Sequence, residues 1–171
     1  TGTCATEDSV FITVVPGLGL TVDADTTVTC KGGSVQLSST AAVTGANYVW
    51  SPTTGLSDPT SPNTTATPST TTTYTLVGAV GGCSDSGSVT VLVLPTPTMG
   101  YLSSADRGCA PHEMSFTQAA ADAVAYTWNF GDGSPVSNEH QPTHVYATPG
   151  TYNVTLTGVA EGGCEASINT I

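Results

Sequence analysis

Gly82-Cys83-Ser84-Asp85-Ser86-Gly87-Ser88-Val89-Thr90-Val91-Leu92-Val93-Leu94-Pro95 is the stretch on which the fold reading turns. From Ser88 to Leu94 its β-branched alternation is that of a strand, and Pro95 ends it, since proline has no N–H to give to a ladder. The same stretch lines up without a gap on Thr3-Cys4-Ala5-Thr6-Glu7-Asp8-Ser9-Val10-Phe11-Ile12-Thr13-Val14-Val15-Pro16, and a third copy begins at Gly163-Cys164 and runs through Ile168 to Ile171. Each copy reads as the closing strand of a domain. Residues 1–16 are then the terminal strand of a preceding repeat, 17–95 one complete β-sandwich, and 96–171 a second whose last strand is incomplete. Such periodicity predicts a rod-like array in which each unit contacts its neighbours.

Within each full copy the order Cys, Trp, Cys recurs as Cys30, Trp50, Cys83 and Cys109, Trp128, Cys164, at nearly matched spacings. The repeat therefore predicts the pairings Cys30–Cys83 and Cys109–Cys164, with Cys4 left to a partner in the preceding domain. Four cysteines allow three pairings, so the choice leans on the repeat. Closing a loop of about 54 residues removes roughly 4 kcal/mol of unfolded-state entropy, comparable with the whole net stability of so small a domain. None of the five cysteines forms a Cys-x-x-Cys pair, which favours disulfides made in an oxidising compartment over a zinc or thioredoxin-type site.

Further strands are expected at Val35–Ser38, Tyr48–Ser51, Thr73–Val77, Met114–Gln118, Val124–Phe130 and Thr151–Thr157, with Gly55-Leu56-Ser57-Asp58-Pro59 and Gly131-Asp132-Gly133 as turns. Ala119–Ala125 has helical propensity but no apolar stripe at helical spacing, and reads as a loop. Tyr48 and Trp50 share one face of a strand, as do Tyr126, Trp128 and Phe130, because side chains alternate with period two. These aromatics are expected in the core, not on a sugar-binding platform.

Charged residues make up 9% of the chain and the formal net charge is −11, so solubility rests on hydroxyls and net charge instead of mixed ion pairs. Lys31 and Arg107 are the only basic side chains besides histidine, too few to displace the counterions of a nucleic acid. No run reaches the 18 or so apolar residues of a membrane helix. Neither nucleic acid nor membrane insertion is expected.

Candidate chemistry is sparse. His140 and His144 stand four apart beside Glu139, but Pro142 between them makes a helical zinc face a poor reading. Asp23 and Asp25, near Glu7 and Asp8 at a domain junction, are the calcium candidates; otherwise no cofactor is expected. Asp132 is expected to accept backbone hydrogen bonds and hold its turn. There is no Gly-x-Ser-x-Gly elbow and no Ser-x-x-Lys pair, and a thin Thr-rich sandwich offers no deep cleft for a carboxylate pair. No catalytic residues, and no enzyme, are expected.

Trp128-Asn129-Phe130-Gly131-Asp132-Gly133, with Pro142-Thr143-His144-Val145-Tyr146 and Pro149-Gly150-Thr151-Tyr152-Asn153-Val154-Thr155-Leu156, resembles the polycystic-kidney-disease (PKD) domain family. The family usually has Asp where Asn129 stands. Tyr48-Val49-Trp50-Ser51-Pro52, Gly55-Leu56, Thr73-Tyr74-Thr75-Leu76 and Gly82-Cys83 are similar to the immunoglobulin-like repeats of Bacteroidetes surface proteins, including gliding-motility adhesins exported by type IX secretion. These resemblances imply an all-β chain of tandem Ig-like and PKD-like antiparallel β-sandwiches, outside the cell, that spaces, displays or adheres. Asp8-Ser9-Val10 and Asp25-Thr26-Thr27 are similar to the Asp-Ser/Thr-apolar O-glycosylation acceptor of Bacteroidetes, which marks Ser9 and Thr26.

The expectation is thus a disulfide-stapled stalk segment of a bacterial cell-surface filament, whose partners are neighbouring repeats of the same chain or filament and a surface polysaccharide or protein. Two alternatives are an accessory carbohydrate- or protein-binding module of a secreted hydrolase, since PKD-like domains accompany such enzymes, and a fibre subunit completed by a neighbour's strand.

Overall fold

The computed structural model describes residues 17–23, 25–40, 45–104 and 107–170. Among these the chain is all β, with fourteen strands and no helix. Cys4, Glu7, Asp8 and Ser9 lie outside the described residues.

The chain divides into two compact units. The first takes the described residues up to Thr27 together with Val35–Thr67 and Thr73–Val91; the second takes Val28–Ser34, Pro68–Thr72 and the described residues from Leu92 onward. In chain order the first eight strands are β1 (Thr21–Val22), β2 (Thr26–Cys30), β3 (Val35–Leu37), β4 (Ser39–Thr40), β5 (Asn47–Ser51), β6 (Thr64–Ala66), β7 (Thr72–Val80) and β8 (Cys83–Leu94). One sheet has the order β2-β8-β7-β5, and two short antiparallel pairs, β1–β4 and β3–β6, complete the strands. Tyr74, Leu76 and Gly78 alternate inward along β7, as period two requires. They close on Leu18, Leu37, Trp50, Val89 and Val91, a core of apolar side chains.

The remaining strands are β9 (Tyr101–Ser103), β10 (His112–Gln118), β11 (Ala123–Asn129), β12 (Thr143–Tyr146), β13 (Val154–Ala160) and β14 (Glu165–Thr170). They form two three-stranded sheets, β12-β10-β9 and β11-β13-β14, antiparallel throughout. Phe116, Tyr126, Trp128, Phe130, Tyr146, Val154 and Leu156 fill the space between them. The inward aromatics of Tyr48–Trp50 and Tyr126–Phe130 are therefore core, as their alternation predicts. The expected loop at Ala119–Ala125 is strand from Ala123 onward, entered through Asp122 at φ 67°.

The two units hold their tryptophans by the same device. The Trp50 backbone N–H donates to the Pro59 carbonyl nine residues on, and its indole Nε1–H donates to the Ser61 carbonyl at 2.9 Å. The Trp128 N–H donates to Ser137 O, again nine on, and its indole to Glu139 O at 3.0 Å. Leu76 stands directly opposite Trp50 in the β5–β7 ladder, and Leu156 opposite Trp128 in the β11–β13 ladder. A buried indole needs an acceptor for its one donor. Both units supply it from the strand-to-strand loop that the tryptophan covers.

Candidate functional site

The only covalent cross-link among the described residues joins Cys30 to Cys164. Cys30 is the last residue of β2, and Cys164 is fully buried in the β13–β14 turn, where its carbonyl accepts from the Ala160 N–H at 2.8 Å. Both belong to the second unit. The expected pairings Cys30–Cys83 and Cys109–Cys164 are overturned: Cys83 is a half-buried free thiol and Cys109 an exposed one.

Strand geometry explains both corrections. Lys31, adjacent to Cys30, donates its N–H to the Leu94 carbonyl at the far end of β8, whereas Cys83 opens that strand. Eleven residues of strand separate Cys83 from Leu94, about 35 Å at the usual rise, and a disulfide needs Cα atoms within about 7 Å. Cys109 lies with Val154, the first residue of β13, in the lining of one groove, while Cys164 follows Ala160 at the other end of that strand. That length is roughly 20 Å.

The PKD-like motif assembles as a tied turn. The Asn129 side-chain oxygen accepts from the Gly131 N–H at 3.0 Å. Gly131 sits at φ 78°, and a Cβ there would lie 2.4 Å from the Asn153 carbonyl oxygen, so no other residue fits. Asp132 accepts from the Ser134 N–H and hydroxyl through one carboxylate oxygen. Its other oxygen meets His144 Nε2 at 2.7 Å.

Burial pushes the Asp132 pKa up, but the Ser134 hydroxyl, His144 and the Ser134 N–H together outweigh it and hold the group at about 2. The His144 ring stacks on Phe130 at 4.1 Å, and the Tyr146 hydroxyl donates to the Phe130 carbonyl at 3.0 Å. Burial raises the Tyr146 pKa to about 12, with help from Asp132 and the neighbouring tyrosines. Tyr152 stacks on Tyr146 and anchors the Pro149-Gly150 turn through Thr148. Sequence reasoning found Asp132 as a turn holder and missed His144 as its partner, a contact between residues twelve apart.

This arrangement is a strut, not a relay. Asp132 stands between Ser134 and His144, so the imidazole does not take the serine proton, and a carboxylate with so low a pKa is a weak base. His140 packs edge-on against Tyr126 and lies within hydrogen-bond reach of Gln118, whereas His144 is engaged with Asp132 and Phe130. Asp23 and Asp25 are exposed, and no cluster of three or more metal-ligating side chains exists among the described residues. Thr26 is exposed at the start of β2.

One groove of about 820 Å³ opens in the second unit, lined by Tyr101, Phe116, Tyr146 and Tyr152 together with Arg107 and His112. Among the described residues, no carboxylate lines it.

Two antiparallel sandwiches with tryptophan-centred cores, one carrying the Gly-Asp-Gly turn, define the class: immunoglobulin-like and PKD-like β-sandwich modules. Residues 93–171 match the family model of the PKD domain. Human polycystin-1 is 60% identical over 35 residues, covering 19% of this chain and 1% of that protein. Collagenase ColA of Bacillus cereus is 49% identical over 47 residues, covering 28% of this chain and 5% of the collagenase. The chain thus spans a small fraction of either relative. Among solved structures, the N-terminal eight immunoglobulin domains of Down syndrome cell adhesion molecule align over 90% of this chain and 27% of that one, with TM-score 0.59 and 16% identity. That likeness is one of fold.

Proposed function

We propose that this chain is a structural and adhesive segment of a bacterial cell-surface filament, a non-enzymatic stalk of repeated sandwiches outside the cell. The observation that carries the reading is the duplicated tryptophan anchor, with the same backbone and indole acceptors at the same offsets in both units. One building block used twice is what an array requires. The Cys30–Cys164 bridge supports an oxidising, extracellular setting, and the PKD match supports a surface or secreted context. The resemblance to Bacteroidetes adhesins directs the reading further, to gliding-motility proteins exported by type IX secretion.

The test is the native protein. Antibody to this segment should label intact cells, and reducing denaturing electrophoresis of shaved surface material should give a band far larger than this 17.1 kDa segment. A band near the segment's own mass, or labelling only after lysis, overturns the reading.

The match to a collagenase and the aromatic groove favour one second reading, an accessory binding module of a secreted hydrolase. It requires retention on collagen, chitin or cellulose beads, lost on Tyr152→Ala; passage through all three columns removes it.

A further inference from the structure

The bridge that forms crosses the repeat. In the sequence Cys30 belongs to the copy at 17–95 and Cys164 to the copy at 96–171, so the disulfide pairs a cysteine of one copy with a cysteine of the next.

The two cysteines are of different kinds. Cys164 lies in the turn between the last two strands of its copy, eight residues after Leu156, the residue opposite Trp128. Cys83 has the same place in its own copy, following the β7–β8 turn seven residues after Leu76, the residue opposite Trp50. Cys30 precedes β3, and the residue seven positions on, Leu37, is buried; Cys109 precedes β10, and the residue seven positions on, Phe116, is buried. Cys83 and Cys164 are therefore turn cysteines, and Cys30 and Cys109 are strand-leading cysteines. The structure joins a strand-leading cysteine to the turn cysteine of the following copy.

We propose that Cys83 and Cys109 are cross-linking sites of the same type. Cys83 bonds the strand-leading cysteine of the copy before it, and Cys109 bonds the turn cysteine of the copy after it. The partner of each is a second sandwich of this kind, so the inference rests on the repeat-filament reading. Both thiols are free among the described residues, Cys83 half-buried and Cys109 exposed, so neither is committed to a partner within its own copy. Each bond forms from two thiols that lose two protons and two electrons. The oxidant is the disulfide of a thiol–disulfide exchange protein, which leaves as a dithiol.

The test is disulfide mapping of the native protein, alkylated at collection and digested without reduction. Chymotrypsin is suitable because Lys31 and Arg107 are the only tryptic sites. The expected result is Cys30 linked to Cys164, with Cys83 and Cys109 each linked to a cysteine peptide from outside this segment. Cys83→Ser, introduced in the native gene, should expose one new alkylatable thiol per chain, located in the preceding copy. Alkylated Cys83 and Cys109 in the wild type, or a bond from either to Cys30 or Cys164, overturns the proposal. Band size on a reducing gel of the same preparation separates the two failures. A small band sinks the filament reading itself, and a large band with alkylated thiols sinks only the cross-links.

Discussion

Replacing both bridge cysteines, Cys30→Ala with Cys164→Ala, removes a cross-link that closes 134 residues. In the chain-entropy treatment a loop of that size is worth about 5 kcal/mol, and native-state strain or residual denatured structure lowers the realised value to roughly 3–5 kcal/mol. With a guanidinium m-value of about 4 kcal/mol/M, the unfolding midpoint should fall by about 1 M. Tryptophan fluorescence reads it directly, since Trp50 and Trp128 are both fully buried. The control is Cys83→Ala, a half-buried thiol without a bond, which should cost less than about 1 kcal/mol. Reductant should bring the wild type down to the double variant and leave that variant unmoved. If Cys83→Ala costs as much as Cys30→Ala, the bridge is Cys30–Cys83 and the strand-distance reasoning fails.

Three other outcomes are expected. Because the folded-state pKa of Asp132 is depressed to about 2, its contribution is present above the ordinary carboxylate value and is lost as pH falls through about 2. Thermal melts between pH 2 and 5 should show a shallower acid decline in Asp132→Asn than in the wild type; parallel curves refute the assignment. Gly131→Ala combines positive φ with a backbone clash and should cost at least about 2 kcal/mol, whereas Gly133→Ala, at φ 82° with open space around it, should cost about 1 kcal/mol; equal losses by urea titration refute the distinction. Trp50→Phe and Trp128→Phe each strand a loop carbonyl and leave a void, so both should lose about 2–4 kcal/mol. A neutral result in either denies the shared anchor.

The aromatic strands were legible because bulky residues alternating with small polar ones give strong contrast at period two, as in Tyr126-Thr127-Trp128-Asn129-Phe130. β2 and β6 were not, since Thr26-Thr27-Val28-Thr29-Cys30 and Thr64-Thr65-Ala66 carry little apolar contrast. Thr64 is buried, and its hydroxyl is satisfied by Ser57 and the Asp58 N–H, a partnership that hydropathy does not register. The Gly131-Asp132-Gly133 turn was readable from local chemistry, but its tie to His144 depends on where β12 docks. The disulfide error has a different source. A repeat fixes which positions are equivalent, and Cys–Trp–Cys spacing is the same whether a cysteine pairs within its copy or with the next.

Cys30 and Cys164 also create a shortcut in the covalent graph. The covalent path from β2 to β14 runs across the sulfur–sulfur bond, so the chain between the two cysteines cannot be drawn out to its full length while that bond holds. Once that bond is broken, unfolding of the bypassed chain can add about 450 Å of contour at roughly 3.4 Å per residue. Redox chemistry thereby sets whether that length can be drawn out at all, and the strength of the sheets sets how readily.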